Sequence, residues 1–141
     1  MMLPANEISY NFAGNMSKIV VYNKMKEEHT GKNVFLIHRP YPLGNPYTHI
    51  KERKTKADIV VKSRDEAIRL YKLYFDEMYP SNKRFRDAFD EIYDTYASGE
   101  YDTIYLGCYC APEPCHGDFI KEKILQKHMR EKIRKLMADK K

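Results

Sequence analysis

The sequence predicts an α/β fold, a three-layer sandwich in which amphipathic helices cover a small and mostly parallel sheet. Three short apolar runs rich in β-branched residues have the length of buried strands, and three longer segments repeat apolar residues at helical spacing. The elements follow the order β, β, α, α, β, α, which favours parallel pairing between strands that are separated by helices. A chain of 141 residues is long enough for one such domain with a modest core.

The strands are predicted from apolar runs at residues 18–22, 33–37 and 103–106. Residues 57–61 predict an additional edge strand. The second strand leads into residues 38–46, where three prolines and one glycine exclude regular structure. This proline-rich segment is therefore predicted to be a loop at the end of a strand.

Start and stop signals bound the three helices. Ser63 and Glu66 have the spacing of a capping box, so the first helix is predicted to begin after Ser63, with Glu66 reaching back to the cap. Residues 80–82 break it, and a second helix with an apolar face ends at Gly99. A long third helix is predicted from about residue 116 to residue 137.

Composition indicates the domain organisation and the compartment. Residues 1–16 are expected to form an N-terminal arm, residues 17–137 a single domain, and residues 138–141 a frayed tail. The sequence does not begin with a basic region and an apolar run, and no stretch approaches the roughly 20 apolar residues of a membrane span. Three cysteines are an odd number without secretory context, so we expect a cytoplasmic protein with reduced thiols and no membrane partner.

The basic charge belongs to the last helix. Of the net charge of +5, residues 121–141 contribute +6 through nine Lys and Arg against three acids, which leaves −1 for the rest. Such a face, centred on residues 121–135, is ordinarily solvated, and binding of nucleic acid or another acidic partner is the alternative. The apolar stripe of this long helix also allows pairing with a second copy, so a homodimer is a further expectation.

All three cysteines lie in the segment G-C-Y-C-A-P-E-P-C-H-G-D, between the third strand and the third helix. A first interpretation is a zinc ion held by Cys108, Cys110, Cys115 and His116, whose side chains suit a tetrahedral site. The spacing differs from that of familiar zinc motifs, and adjacent residues rarely bind one ion. No metal or other cofactor is therefore expected, and zinc is kept as the alternative.

A second interpretation is a reactive thiol at Cys115. The predicted helix start gives this thiol free backbone amides and a helix dipole, both of which lower a thiol pKa. His116 or His49 would then serve as the base. The competing structural interpretation is that small thiols, Cys108 above all, pack in the core at the end of the strand.

A third interpretation, which we prefer, is a loop that binds a ligand. A strand that passes through a proline-shaped loop into a helix presents free N–H groups, which suit a phosphate. Gly117 lets a ligand approach the backbone, and Asp118 is placed to cap the helix or to bind a ribose hydroxyl. Ligands of open α/β sheets collect at the carboxyl ends of the strands, where this loop lies.

Five sequence blocks carry a resemblance to a known family. They read H-R-P, P-L-G-N-P, S-R-D-E-A-I, C-Y-C-A-P and C-H-G-D, at residues 38–40, 42–46, 63–68, 108–112 and 115–118. With these blocks in this order, the chain resembles over residues 18–127 the family catalogued as domain of unknown function 4326, found in bacteria, phages and other lineages. It differs from the usual pattern at His38, Tyr41 and Tyr109, where Gly, Ser and Trp are usual. The resemblance implies a Rossmann-like shape, and a host-cytoplasm location for a phage protein, but it names no reaction.

The resemblance also directs attention to the proline-rich loop. Arg39 is a fixed cation at a strand end, and Asn45 carries an amide that is able to read a polar ligand. If the second and third predicted strands are parallel neighbours, the loops at residues 38–49 and 108–118 face each other across one cleft. That cleft would suit a phosphate-bearing ligand. The predicted ligand-binding set is Arg39, Gly44, Asn45, Thr48, Cys110 and Gly117.

The function expected from these features is binding of a nucleotide, or of a nucleotide-derived molecule that carries phosphate, with hydrolysis or sequestration as the outcome. If the protein is an enzyme, it is a hydrolase or transferase, and the candidate catalytic residues are His49, Cys115, His116 and Asp118. The alternatives are a zinc-stabilised interaction module and a nucleic-acid accessory protein that uses the basic helix. The sequence contains no P-loop motif, which argues against a motor driven by nucleoside triphosphates.

Overall fold

The computed structural model describes residues 9–10, 16–48, 59–111, 113 and 115–139. Within these ranges the chain forms, in order, β1 (Ser9–Tyr10), β2 (Met16–Asn23), β3 (Val34–Leu36), β4 (Tyr47–Thr48), β5 (Ile59–Val60), α1 (Arg64–Ser81), α2 (Lys83–Ser98), β6 (Thr103–Cys108) and α3 (His116–Asp139). The predicted small α/β sandwich with a short and mostly parallel sheet is confirmed.

The main sheet has the strand order β1-β2-β6-β3. β6 pairs in parallel with β2, where Ile19 lies opposite Ile104, and in parallel with β3, where Phe35 lies opposite Leu106. β1 is antiparallel to β2. Because β2, β6 and β3 run in the same direction, their carboxyl ends lie at one edge of the sheet.

Of the strand predicted at residues 57–61, residues 57 and 58 lie outside the described residues, and residues 59–60 form β5, which does not join the main sheet. β5 pairs in parallel with β4 in a separate two-stranded sheet. The Ile59 amide donates to the Pro46 carbonyl at 3.0 Å, and the Val61 amide donates to the Thr48 carbonyl at 2.6 Å. The partner of this strand is therefore the end of the proline-rich loop, and this long-range pairing leaves no trace in local periodicity.

One face of the main sheet carries the core. Alternation along β6 puts Ile104, Leu106 and Cys108 on that face, and all three are buried. Side chains from the three helices join them in one hydrophobic cluster, among them Tyr71, Phe75, Phe85, Phe89, Ile120 and Ile124. On the other face, the ring of Tyr105 stacks on His29 with 3.9 Å between the centroids.

The ends of α1 and α2 follow the signals in the sequence with one difference. The Ser63 hydroxyl accepts from the Glu66 amide at 3.1 Å, but the Glu66 carboxylate binds Arg69 at 2.6 Å instead of reaching back to the cap. α1 ends inside the predicted break at residues 80–82. Gly99 follows α2 with φ of 72°, a left-handed conformation that glycine adopts without strain.

α3 confirms the long helix predicted at residues 116–137. Its first half is anchored in the core by Ile120 and Ile124, whereas its second half leaves Ile133 and Leu136 more than half exposed, at 52% and 61%. Among the described residues, no helix combines the length and the apolar character that crossing a membrane requires.

Candidate functional site

The two loops of the predicted cleft start at neighbouring strand ends. The Ile37 amide still donates to a carbonyl of β6, at 3.0 Å, so the ladder between β3 and β6 extends up to the proline-rich loop. Beyond it, the ring centroids of His38 and Tyr109 lie 4.6 Å apart. The proline-rich loop, residues 38–48 where the structure describes it, thus meets the thiol loop, residues 108–118, at the carboxyl edge of the sheet.

The proline-rich loop folds on itself. The Tyr41 amide donates to the His38 carbonyl at 2.9 Å, and the Gly44 amide donates to the Tyr41 carbonyl at 2.8 Å, so two turns follow each other. A β-carbon at Gly44 would lie only 2.9 Å from the Cα and N atoms of Arg39. The close packing of the loop therefore explains the glycine at this position.

Two predicted ligand-binding side chains hold the same loop together. Arg39 Nη1 donates to the Asn45 carbonyl at 2.9 Å and lies 3.4 Å from the Tyr47 carbonyl. The buried Asn45 amide donates from Nδ2 to the Ala67 carbonyl at 3.2 Å, and its Oδ1 accepts from the Tyr47 amide at 2.9 Å. Thr48 is buried as well. These bonds brace the loop and tie it to α1.

The three thiols lie between the end of β6 and the start of α3. The sulfurs of Cys108 and Cys115 are 3.6 Å apart, and both residues are buried, with 1% and 3% of their surface exposed. Cys110, which is partly exposed, lies close enough to Cys115 for each thiol to shift the pKa of the other. After Cys115, the guanidinium group of Arg64, the first residue of α1, lowers the pKa of Cys110 most. Sequence reasoning misses Arg64, whose only signal is its place in the S-R-D-E-A-I block.

These contacts set the acidity of the thiols. The thiols of Cys108 and Cys110, together with burial, raise the pKa of Cys115. The contact with Cys115 lowers the pKa of Cys110 to about 6, and the charges of Arg64 and Arg39 contribute to this shift. The same kind of contact lowers the pKa of Cys108 to about 7. The direction of these shifts favours Cys110 as the acidic thiol, and a reactive thiol at Cys115 stays a prediction.

Cys115 also caps the start of α3. Its amide donates to Asp118 Oδ2 at 3.1 Å, and its sulfur accepts from the Gly117 amide at 3.3 Å. A β-carbon at Gly117 would lie 2.9 Å from Ile37 Cδ1 and Val21 Cγ1, so the helix starts in close contact with the sheet. Asp118 and Gly117 therefore fix the helix start, in agreement with the capping alternative for Asp118.

His116 joins the two loops. Its Nε2 donates to the Ile37 carbonyl at 2.6 Å, and its ring stands edge-on to Tyr71 at 4.9 Å between the centroids. Burial lowers the pKa of His116 to about 4, so at neutral pH the ring is uncharged and carries its proton on Nε2. Only Nδ1 is then available to accept a proton. His49, the other predicted base, lies outside the described residues.

The zinc alternative requires four side chains to converge on one point. In the part of the chain that the structure describes, no group of three or more His, Cys, Asp or Glu side chains is arranged to hold a metal ion. His116 uses its Nε2 on a backbone carbonyl, whereas the thiols bond to one another. The expectation that the protein holds no cofactor stays a prediction.

His38 is a second residue that sequence reasoning misses. Its Nδ1 donates to the Arg39 carbonyl at 2.7 Å, which leaves a lone pair on Nε2. This Nε2 is buried and has no hydrogen-bond partner among the described residues. The rings of Tyr41 and Tyr109 lie 5.0 and 4.6 Å from the His38 ring. The side chains of His38, Tyr41 and Tyr109 thus form one aromatic cluster.

A cavity of about 300 Å³ adjoins the proline-rich loop. The loop and the junction of α1 with α2 form its walls, with Tyr41, Tyr74 and three prolines among the lining residues. Arg39 and Arg84 also line it. Since the charge of Arg39 acts on Cys110 as well, this arginine lies between the cavity and the thiol loop.

Two basic side chains of α3 turn back onto the domain. Lys123 Nζ lies 3.6 Å from Asp76 Oδ1, and Lys127 Nζ lies 3.7 Å from Asp90 Oδ1. Lys127 also lies over the ring of Tyr93, 4.4 Å from its centroid. Part of the basic face therefore stabilises the packing of α3 on α1 and α2, and its contact with nucleic acid stays a prediction, as does the homodimer.

Comparison with known proteins identifies the family. The model of the family described as Domain of unknown function (DUF4326) matches residues 20–126. No curated protein and no solved structure matches the chain. The chain belongs to the DUF4326 family, as its sequence blocks indicate.

Proposed function

We propose that this member of the DUF4326 family binds a nucleotide, or a nucleotide-derived molecule that carries phosphate, in the cleft between residues 38–49 and 108–118. The observation that carries the proposal is the parallel pairing of β3 with β6, because it brings both loops to one edge of the sheet. In open α/β sheets, ligands bind at this edge.

Two guanidinium groups favour an anionic ligand. Arg39 and Arg64 both act on Cys110, so this part of the cleft already stabilises one negative charge. A guanidinium group binds phosphate oxygens through two parallel hydrogen bonds, and a phosphate offers more acceptor atoms than a thiolate does. We expect the phosphate of the ligand to lie beside Cys110 and to share these arginines.

Two further features suit the remainder of a nucleotide. The lone pair on His38 Nε2 would accept from an amino or hydroxyl group once the ring of Tyr109, which is 49% exposed, moves aside. The adjoining cavity of about 300 Å³ has tyrosine and proline walls that suit a flat ring. Its volume falls at the lower end of the range for ligand pockets.

The state of the predicted catalytic residues favours binding over hydrolysis. His116 has a pKa of about 4 and commits its one proton to the Ile37 carbonyl, so it is a poor proton donor and a weak base at neutral pH. The carboxylate of Asp118 holds the Cys115 amide. We therefore propose sequestration or sensing of the ligand as the function of the cleft.

A thermal-shift screen of nucleoside phosphates and their derivatives, with inorganic phosphate as reference, tests the proposal. A ligand at 100 times its Kd stabilises the native state by about 2.7 kcal/mol, which raises the Tm of a domain of this size by several degrees. We expect this rise to be lost in Arg64→Gln. The matched control is Arg69→Gln on the same helix, because Arg69 is exposed and pairs with Glu66.

Arg39→Gln is the second variant of the screen. Since Arg39 also braces its own loop, glutamine is preferred to alanine: it keeps a donor for the Asn45 carbonyl and removes the charge. If no phosphate-bearing compound raises the Tm, or if the rise persists unchanged in both arginine variants, the proposal is wrong.

A further inference from the structure

We propose that the three thiols form a peroxide-reactive site, in which Cys110 is oxidised first and Cys115 then forms a disulfide with it. The proposal rests on the contact among the thiols and on their unequal exposure. Cys115 lies 3.6 Å from Cys108, sulfur to sulfur, and Cys110 packs against the buried cluster that contains both. This chemistry does not require the ligand that the cleft is proposed to bind.

Cys110 is the thiol that a peroxide reaches. It is partly exposed, whereas Cys108 and Cys115 are buried. The positive charge of Arg64 favours the thiolate form of Cys110, which is the nucleophilic form. A partly exposed thiolate next to a cation and within reach of a second thiol is the arrangement found at oxidation-sensitive cysteines.

The first step consumes one hydroperoxide. The Cys110 thiolate attacks the terminal oxygen, a sulfur–oxygen bond forms and the oxygen–oxygen bond breaks. The sulfur is oxidised by two electrons to a sulfenic acid, and the peroxide is reduced to an alcohol, or to water if it is hydrogen peroxide, which takes one proton from the solvent.

The second step consumes the Cys115 thiol. Its sulfur attacks the sulfenic sulfur of Cys110, a sulfur–sulfur bond forms, and the hydroxyl group leaves as water with the proton of Cys115. The thiols must approach to the disulfide bond length of about 2.05 Å. Cys115 is named as the partner because it lies beyond β6 in the same loop as Cys110, whereas Cys108 is paired within the central strand β6.

The first test uses the wild-type chain, reduced and treated with a chelator. Alkylation of the native protein with iodoacetamide, followed by peptide mapping, is expected to modify Cys110 at least about tenfold faster than Cys108 or Cys115. One equivalent of hydrogen peroxide is expected to remove two free thiols and to yield a Cys110–Cys115 disulfide in a non-reducing map. Equal alkylation of the three thiols, or oxidation without a disulfide, would overturn the proposal.

Three variants separate the roles of the thiols. Cys110→Ser is expected to slow oxidation at least about tenfold, and Cys115→Ser to accumulate a sulfenic acid at Cys110 that dimedone traps. Cys108→Ala is the matched control and is expected to form the disulfide at the wild-type rate, with circular dichroism to verify its fold. Oxidation of Cys110→Ser at the wild-type rate, or a folded Cys108→Ala variant that forms no disulfide, contradicts the assignment.

Discussion

The proline-rich loop and the thiol loop leave the same edge of the sheet, yet they use their polar groups differently. In the proline-rich loop, Arg39 and Asn45 bond to backbone carbonyls of that loop and of α1. In the thiol loop, the side chains of Cys115 and Arg64 act on Cys110 and lower its pKa. Backbone partners fix the shape of a loop, whereas side-chain partners are able to exchange for a ligand or an oxidant. We therefore assign the shape of the cleft to the first loop and its chemistry to the second.

The largest change in the free energy of unfolding is expected from the protonation of His116, whose hydrogen bond to the Ile37 carbonyl joins the two loops. The pKa of His116 is about 4 in the native protein, whereas an unfolded histidine titrates near 6.5. Between these values the unfolded chain binds a proton that the native chain excludes. The free energy of unfolding is therefore undiminished above pH 6.5 and falls as the pH decreases toward 4, by about 3 kcal/mol in all. Urea unfolding across this pH range measures the loss.

His116→Gln is the matched variant for this measurement. The glutamine amide is still able to donate to the Ile37 carbonyl, but it does not titrate. We expect the dependence on pH between 6.5 and 4 to become shallower in the variant. Burial also lowers the pKa of His128, but that residue is present in both proteins and contributes equally. If the pH dependence is unchanged in the variant, His116 is not held uncharged in the native protein and the prediction is wrong.

The second prediction compares the loss of stability when one glycine of each loop is replaced by alanine. Gly44→Ala places a β-carbon 2.9 Å from backbone atoms of Arg39, which move only if the loop moves, so we expect a loss of about 2 kcal/mol. In Gly117→Ala the nearest atoms are the tips of the Ile37 and Val21 side chains, which are able to shift. Alanine also favours a helix over glycine, so the loss at Gly117 should be smaller.

Urea unfolding of both glycine variants at pH 7 decides which loop is the more rigid. The second measurement is the rise in Tm on addition of ligand. If the proline-rich loop is the rigid wall of the proposed cleft, Gly44→Ala should reduce both the stability and this rise. A greater loss at Gly117 than at Gly44 would reverse the assignment of the two loops.

The strands and helices that build the edge of the sheet are predictable because burial imposes a period on the sequence. The residues of the proline-rich loop are different. The block P-L-G-N-P is the same whether the Asn45 amide reads a ligand or bonds the Ala67 carbonyl, and only the fold shows that it bonds the carbonyl. Turn composition thus predicts that a loop exists, but it does not say what the polar atoms of that loop contact.

The thiol loop shows a second limit of sequence reasoning. The position of Cys115 before α3 predicts a lowered pKa for its thiol, since the helix dipole acts locally. The contacts among the three thiols, and a cation from the start of α1, instead lower the pKa of Cys110 and leave that of Cys115 raised. The thiols are close in sequence, but the cation is not, and local spacing does not encode its contact.

The smallest expected effect is at Asp118, where two substitutions separate the contribution of the carboxylate to stability from a contact with the ligand. Its carboxylate accepts from the Cys115 amide at the start of α3, so Asp118→Ala should lower the free energy of unfolding by about 1 kcal/mol, the usual contribution of a helix cap. Asp118→Asn keeps an acceptor oxygen and should lose less. Since the side chain is exposed and bonded to the backbone, we expect the nucleotide-induced rise in Tm to be the same in both variants as in the wild type. A rise that disappears in Asp118→Ala while the stability stays unchanged would show that this carboxylate contacts the ligand, and the thiol loop would then bind the ribose as well as the phosphate.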